Sequence, residues 1–179
     1  AHQIINNLSG LIFMVPLGLG MATSIRVGFN VGAGNVAAAR HVGWLAMAAS
    51  AGFATVSIVF LLLAGTTLIG FYSQQSELTG TASCLLGTAA CFWSVAGVQV
   101  DAMGALRGFK DTAVPFFIAF SCYWLFGFPI AWILGFGFFA GLDYGVSGYW
   151  LGLAAGLVAA SAALGLRFNT ISHQALQRS

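Results

Sequence analysis

Charge is what this sequence has least of. Only 6% of its 179 residues are Asp, Glu, Lys or Arg, against roughly 25% in a soluble domain. Hydrophobic residues make up 59% of the chain, and the mean hydropathy is +0.93. A soluble fold of this length buries roughly 70% of its unfolded surface, and the remainder would be far too apolar to stay dissolved. Basic runs are missing too. Net charge is only +2, which excludes the electrostatic footprint of a nucleic-acid binder. Cys84, Cys91 and Cys122 are isolated and odd in number, so neither a disulfide framework nor a thiolate metal site is expected. His2, His41 and His173 cannot form a metal site by spacing. No residue before Arg26 is charged, so the basic start of a signal peptide is absent. With Ala rather than Met at position 1, an internal segment of a longer protein is expected.

What is present is a series of long uncharged stretches. They run from Ala1 to Ile25, His41 to Ser76, Leu78 to Val100, Thr112 to Leu142 and Tyr144 to Leu166. Each exceeds the ~20 residues that carry a helix across hydrocarbon. The alternating polarity of membrane strands is missing, and an open backbone cannot survive in lipid. The expected fold is an all-α membrane protein of about five transmembrane helices. These fall near residues 3–25, 42–72, 78–106, 112–137 and 145–167, in a single transmembrane unit.

Local chemistry suggests the helix ends. Ser76-Glu77 and Asp111-Thr112 each offer an N-cap and a carboxylate. Pro115 falls in a first turn, where a missing N–H matters little. Pro16 and Pro129 lie well inside apolar stretches and are expected to kink or locally break their helices. Orientation follows from the basic residues. With five spans, Arg26, Arg40, Arg107, Lys110, Arg167 and Arg178 all fall on one side, opposite Glu77 and Asp143. That side is expected to be cytoplasmic, which puts the N-terminus of this chain outside and the C-terminus inside.

Twenty-four glycines are many for such a chain. Gly148, Gly152 and Gly156 stand four apart, as do Gly104 and Gly108, and Gly28 and Gly32. Small residues at this spacing let membrane helices approach closely. Polar residues within spans are the main guide to function. Asp101 is the sole acidic residue placed to lie inside a span, about 9 Å along a helix from Arg107. Its two readings are a coupling carboxylate and an interface residue neutralised by Arg107 or Lys110. Gln3, Asn6 and Asn7 cluster early in the first helix, and Gln99 lies inside the third with Ser94 near it. Such amides either bond between helices or line a cavity. Phe92, Trp93, Tyr123 and Trp124 offer either an aromatic wall for cations or interface anchors.

Four segments resemble one family in the same order. "AHQIINNLSGLIFMVPLGLGMATSIRVGFNVGAGN" (1–35), "VQVDAMGALRGFKDT" (98–112), "YWLFGFPIAWILGF" (123–136) and "GVSGYWLGLAAGL" (145–157) are similar to the eighth helix, the end of the tenth, the eleventh and the twelfth of multidrug and toxic compound extrusion (MATE) transporters. The resemblance implies part of the C-terminal lobe of a twelve-helix, bacterial inner-membrane transporter. The N-terminal lobe and the first helix of the C-lobe would be its missing partners. It implies export of small organic cations, drugs among them, in exchange for Na⁺ or H⁺, with no cofactor and no enzymatic chemistry. In sodium-coupled members the aspartate of the tenth helix lies three residues before the Gln that matches Gln99, a position held here by Ala96. Asp101 stands where the family is usually apolar, about 140° around the helix from Ala96. The pathway candidates are Gln3, Asn6, Asn7, Gln99 and Asp101. Rival readings are a flippase for lipid-linked sugars, which would favour basic residues in its cavity, and a non-transporting membrane packing subunit. An intramembrane enzyme would need a nucleophile with a base or paired carboxylates.

Overall fold

The protein is described by a computed structural model. The backbone is described for residues 2–72, 92, 95–135 and 145–178, and side chains for these except 2–9, 11, 12, 61–72 and 145–147. Helix α1 is His2–Gly32, α2 Val36–Tyr72, α3 residues 95–108, α4 Ala113–Ser121, α5 Phe128–Gly135 and α6 Gly145–Arg178. A π-helical stretch, Cys122–Gly127, joins α4 directly to α5. No strand occurs among the described residues. Three described stretches are long and apolar enough to cross a bilayer: Val36–Phe60, Ala113–Gly135 and Gly148–Arg178. The start of the expected third helix, and the Ser76-Glu77 cap, lie outside the described residues.

The helices outrun the uncharged stretches. α1 passes Arg26 and ends at Gly32, α2 begins before Arg40, and α6 continues to Arg178. Backbone hydrogen bonding is satisfied inside a helix in water as in lipid, so loss of apolarity marks a membrane edge and not a helix end. Backbone chemistry stops α1. Gly34 takes φ +76°, Gly34 N–H donates to the Val31 carbonyl at 3.1 Å, and Asn35 N–H donates to Asn30 at 2.9 Å. This is the glycine-terminated C-cap that satisfies the last carbonyls. Asn35 Oδ1 then accepts from Ala38 N–H at 3.0 Å and starts α2.

α3 ends with the same pattern on a different residue. Lys110 N–H donates to Arg107 and Asp111 N–H to Leu106, with Lys110 at φ 62°. The left-handed region costs a residue with a Cβ roughly 1–2 kcal/mol. Lys110→Gly is therefore expected to stabilise the reconstituted chain by about 1 kcal/mol, seen as a small rise in melting temperature; no rise, or a fall, would show that the Lys110 side chain compensates.

One expectation is corrected at α4. Thr112 occupies the N-cap position but makes no side-chain capping bond. The third helical residue is Pro115, which has no N–H to offer, and Thr112 sits at a near-helical φ −116°, ψ −32°. Asp111 instead accepts from Arg167 Nε at 3.0 Å. At the inner prolines the outcomes differ: the α-helix is unbroken at Pro16 and locally interrupted just before Pro129. α1 runs through Pro16, whose buried ring packs over Gly97. Pro129 cannot donate to the Leu125 carbonyl, and its ring crowds that turn. The chain widens just before it into π turns, in which Phe128 N–H reaches back to Tyr123.

Glycine seams hold the bundle together. A Cβ on Gly152 would strike the Ala131 backbone, and one on Gly156 would stand 2.8 Å from Gly127 Cα. Gly148 meets the Leu134 carbonyl in the same way, so all three predicted glycines of α6 lie against α5 and the π stretch. Gly104 meets the Gly20 carbonyl, and Gly108 meets Val27 and Gly28, which zips α1 to α3. Gly32 has nothing within 4 Å and contributes no such contact. Among the described residues Phe168 of α6 is the largest fully buried side chain, flanked edge-on by Trp44 at 5.8 Å and Phe109 at 5.9 Å.

Candidate functional site

Three helices meet at Asp101. On α3, Gly97, Asp101, Gly104 and Gly108 recur at spacings of four, three and four, so they share one face. α1 covers that face. A Cβ on Gly20 would stand 2.7 Å from Val100 Cγ1 and 3.3 Å from Asp101 Oδ1. α2 closes the third side through Ser50, whose Cβ is 4.0 Å from where a Gly97 Cβ would be. Asp101 is 0% exposed and Ser50 1%. The Ser50 hydroxyl faces the carboxylate, yet hydrogen-bond geometry is not met. Ser50 Oγ and both carboxylate oxygens of Asp101 are buried without a partner. Arg107 and Lys110 do not neutralise Asp101, for both are exposed. The ion pair formed among the described residues joins Arg167 to Asp111.

The other predicted residues separate. Gln99 is buried, and its Oε1 accepts a 2.6 Å hydrogen bond from the Tyr123 hydroxyl. This bond ties α3 to the π stretch, which is the interhelical use of an amide. Gln3, Asn6 and Asn7 lie on α1, with side chains outside the described residues. Tyr123 and Trp124 do not share one wall. Tyr123 turns inward to Gln99, while Trp124 is exposed in mid-span. Phe92 packs perpendicular to Trp150 at 5.3 Å, and Trp93 and Ser94 are outside the described residues. No cluster of three metal-ligating side chains occurs among the described residues.

Two features escaped sequence reasoning. Phe116, Phe120, Trp124, Phe128 and Trp132 form a ladder on the outside of the bundle, with ring centroids 5.8–6.2 Å apart. Their four-residue spacing was the available signal, and the wide π turns keep it aligned. The second is an open groove of about 840 Å³ between α2, α3 and α6, within the ~300–1,000 Å³ of small-molecule sites. Trp44, Met47, Ile58 and Val98 make it apolar, and Thr55, Ser161 and Asn169 are its polar members. Neither Gln99 nor Asp101 lines it. At one end of the groove Arg40 donates to Asn169 at 2.8 Å, and Arg167, two residues earlier on α6, pairs with Asp111.

Long apolar helices, glycine seams and a buried carboxylate define a helical, polytopic membrane protein. The MatE family pattern matches residues 1–133, and the chain belongs to that family. It is 43% identical over 174 residues to a probable multidrug resistance protein NorM of Xanthomonas campestris, covering 97% of this chain and 37% of that protein. It is 41% identical to the multidrug resistance protein NorM of Burkholderia vietnamiensis, covering 94% of this chain and 37% of the relative. It is 38% identical to the multidrug resistance protein MdtK of Yersinia pseudotuberculosis, covering 97% and 38%. The chain thus spans less than two fifths of the length of these relatives. Its fold matches the eukaryotic MATE transporter AtDTX14 with a TM-score of 0.78 at 22% identity, over 98% of this chain and 40% of the other. A second MATE structure, an inward-facing multidrug resistance transporter, matches at 0.77 and 16% identity, with the same coverage.

Proposed function

We propose that this chain is part of a cation-coupled antiporter that exports small organic cations, drugs among them, across the bacterial inner membrane. The observation that carries the reading is the 43% identity, along nearly the whole chain, to a protein named for multidrug resistance. Several features support it. The glycine seam between α5 and α6 suits helices that move together as one element rocks against another, as alternating access requires. The groove is apolar with two hydroxyls and an amide, a lining suited to amphipathic molecules. A lipid-linked sugar would call for buried basic residues, and no described Lys or Arg is buried. Arg40, Lys110 and Arg167 gather at one end of the bundle, which favours a cytoplasmic location for that end and for the C-terminus.

Transport on this reading needs the N-terminal lobe and the first helix of the C-lobe. The chain alone is expected to leave ethidium accumulation unchanged in an exporter-deficient bacterial host. Joined to the preceding part of the Xanthomonas campestris relative, it is expected to lower accumulation several-fold. Export by neither protein would remove the export reading, and export by the chain alone would remove the two-lobe requirement. Running the fused protein under separate Na⁺ and proton gradients identifies the coupling ion.

A further inference from the structure

Asp101 and Ser50 bring together three oxygens that are buried and bonded to nothing. Burying an ionised carboxylate without a partner costs several kcal/mol. The facing residues are Gly20 on α1, Ser50 on α2, and Gly97 and Gly104 on α3 itself. None of these titrates. Thr23, a buried hydroxyl on α1, is committed to the Leu19 carbonyl at 2.8 Å. We propose that Asp101 and Ser50 form a proton-binding site at the junction of α1, α2 and α3, filled while the α1–α3 seam is closed and emptied when it opens.

The chemistry balances simply. A proton adds to a carboxylate oxygen of Asp101, which becomes a neutral acid. Its O–H donates to Ser50 Oγ after a small rotation. The Ser50 O–H then turns to the Ala46 carbonyl one turn earlier on α2, the usual bond of a helical serine. Release reverses these steps and passes the proton to water. A metal cation fits less well. Hard cations take about six or more oxygen ligands, and the site offers three side-chain oxygens.

The seam supplies the coupling. A single methyl group on Gly20 would already touch Val100 and Asp101, so no water fits along that wall while the seam is closed. The proton therefore leaves only when α1 parts from α3. Use of this site in transport rests on the export reading above; binding of the proton does not.

The test is infrared spectroscopy of the full chain in lipid nanodiscs, titrated with pH in the carboxylic-acid C=O region. During the titration one carboxyl band is expected to persist to higher pH than the bands of exposed carboxyls, and Asp101→Asn removes it. Ser50→Ala is expected to move that band to higher frequency, because the acid loses its acceptor. Gly20→Ala wedges the seam and is expected to weaken proton affinity about tenfold, or about one pH unit. If Asp101→Asn fails to fold, the Ser50→Ala frequency shift decides by itself. A native chain in which no carboxyl band outlasts those of exposed carboxyls, or a band unmoved by Ser50→Ala, overturns the proposal. Loss of the band on adding Na⁺ at fixed pH also overturns it, in favour of a sodium site. An intact band in a protein that exports nothing would defeat the transport reading and leave the proton site standing.

Discussion

Gly152→Val is expected to lower the melting temperature of the reconstituted chain by roughly 6–12 °C, from about 3 kcal/mol of overpacking at 2–4 °C per kcal/mol. The reason lies in what holds membrane helices together. Lipid is as apolar as leucine, so close packing takes the place of hydrophobic burial. Gly152 sits where α6 meets the Ala131 backbone, and any Cβ there collides with main-chain atoms that have no rotamer to escape into. α6 must then withdraw from α5 and surrender the adjoining contacts of Gly148 and Gly156. Gly165 is the control on the same helix, since its Cβ position has nothing within 4 Å. Gly165→Val should leave melting unchanged to within ~0.5 kcal/mol. Equal effects at the two positions would show that helix propensity, and not the seam, is being measured.

The second large effect is expected at Phe168. Phe168→Ala removes the biggest side chain of the core and strands the edges of Trp44 and Phe109 against it. Large-to-small changes of this kind cost about 3–5 kcal/mol. Gly43 is the complement to this ring, for a Cβ there would run into Phe168, and the gap cannot close without moving α2. The measurement is again thermal melting, with Phe168→Leu expected to recover roughly half the loss by restoring most of the volume. Leu166, 70% exposed two residues earlier, should tolerate alanine to within ~0.5 kcal/mol. Similar losses at Phe168 and Leu166 would place the stability of α6 in the helix itself and not in this contact.

The glycine pattern of α6 was legible because four-residue spacing puts side chains on one face whatever that face meets. Which neighbour it meets was not legible, since Ala131 and Gly127 reach it only through the fold. Asp101 shows the same divide. Its place on α3 relative to Arg107 can be counted along the chain. Its burial depends on Gly20 and Ser50, which come from helices 81 and 51 residues away in sequence. The missing Thr112 cap is another kind of case. Cap residue and proline were both visible, and each local rule was sound, but Pro115 removes the N–H that the cap requires.

The sequence by itself determined the solvent, the helical backbone and the family. Sparse charge and long apolar stretches leave only lipid and helices as solutions, and four segments in order leave only one family pattern. The tertiary structure decided the rest. It showed that α1 and α3 lie close enough to shut water away from Asp101, that Tyr123 answers Gln99 across helices, and that the helix widens ahead of Pro129. These outcomes depend on distances between segments remote in sequence. Along one chain, periodicity fixes the direction in which a side chain points but carries no information on what stands opposite.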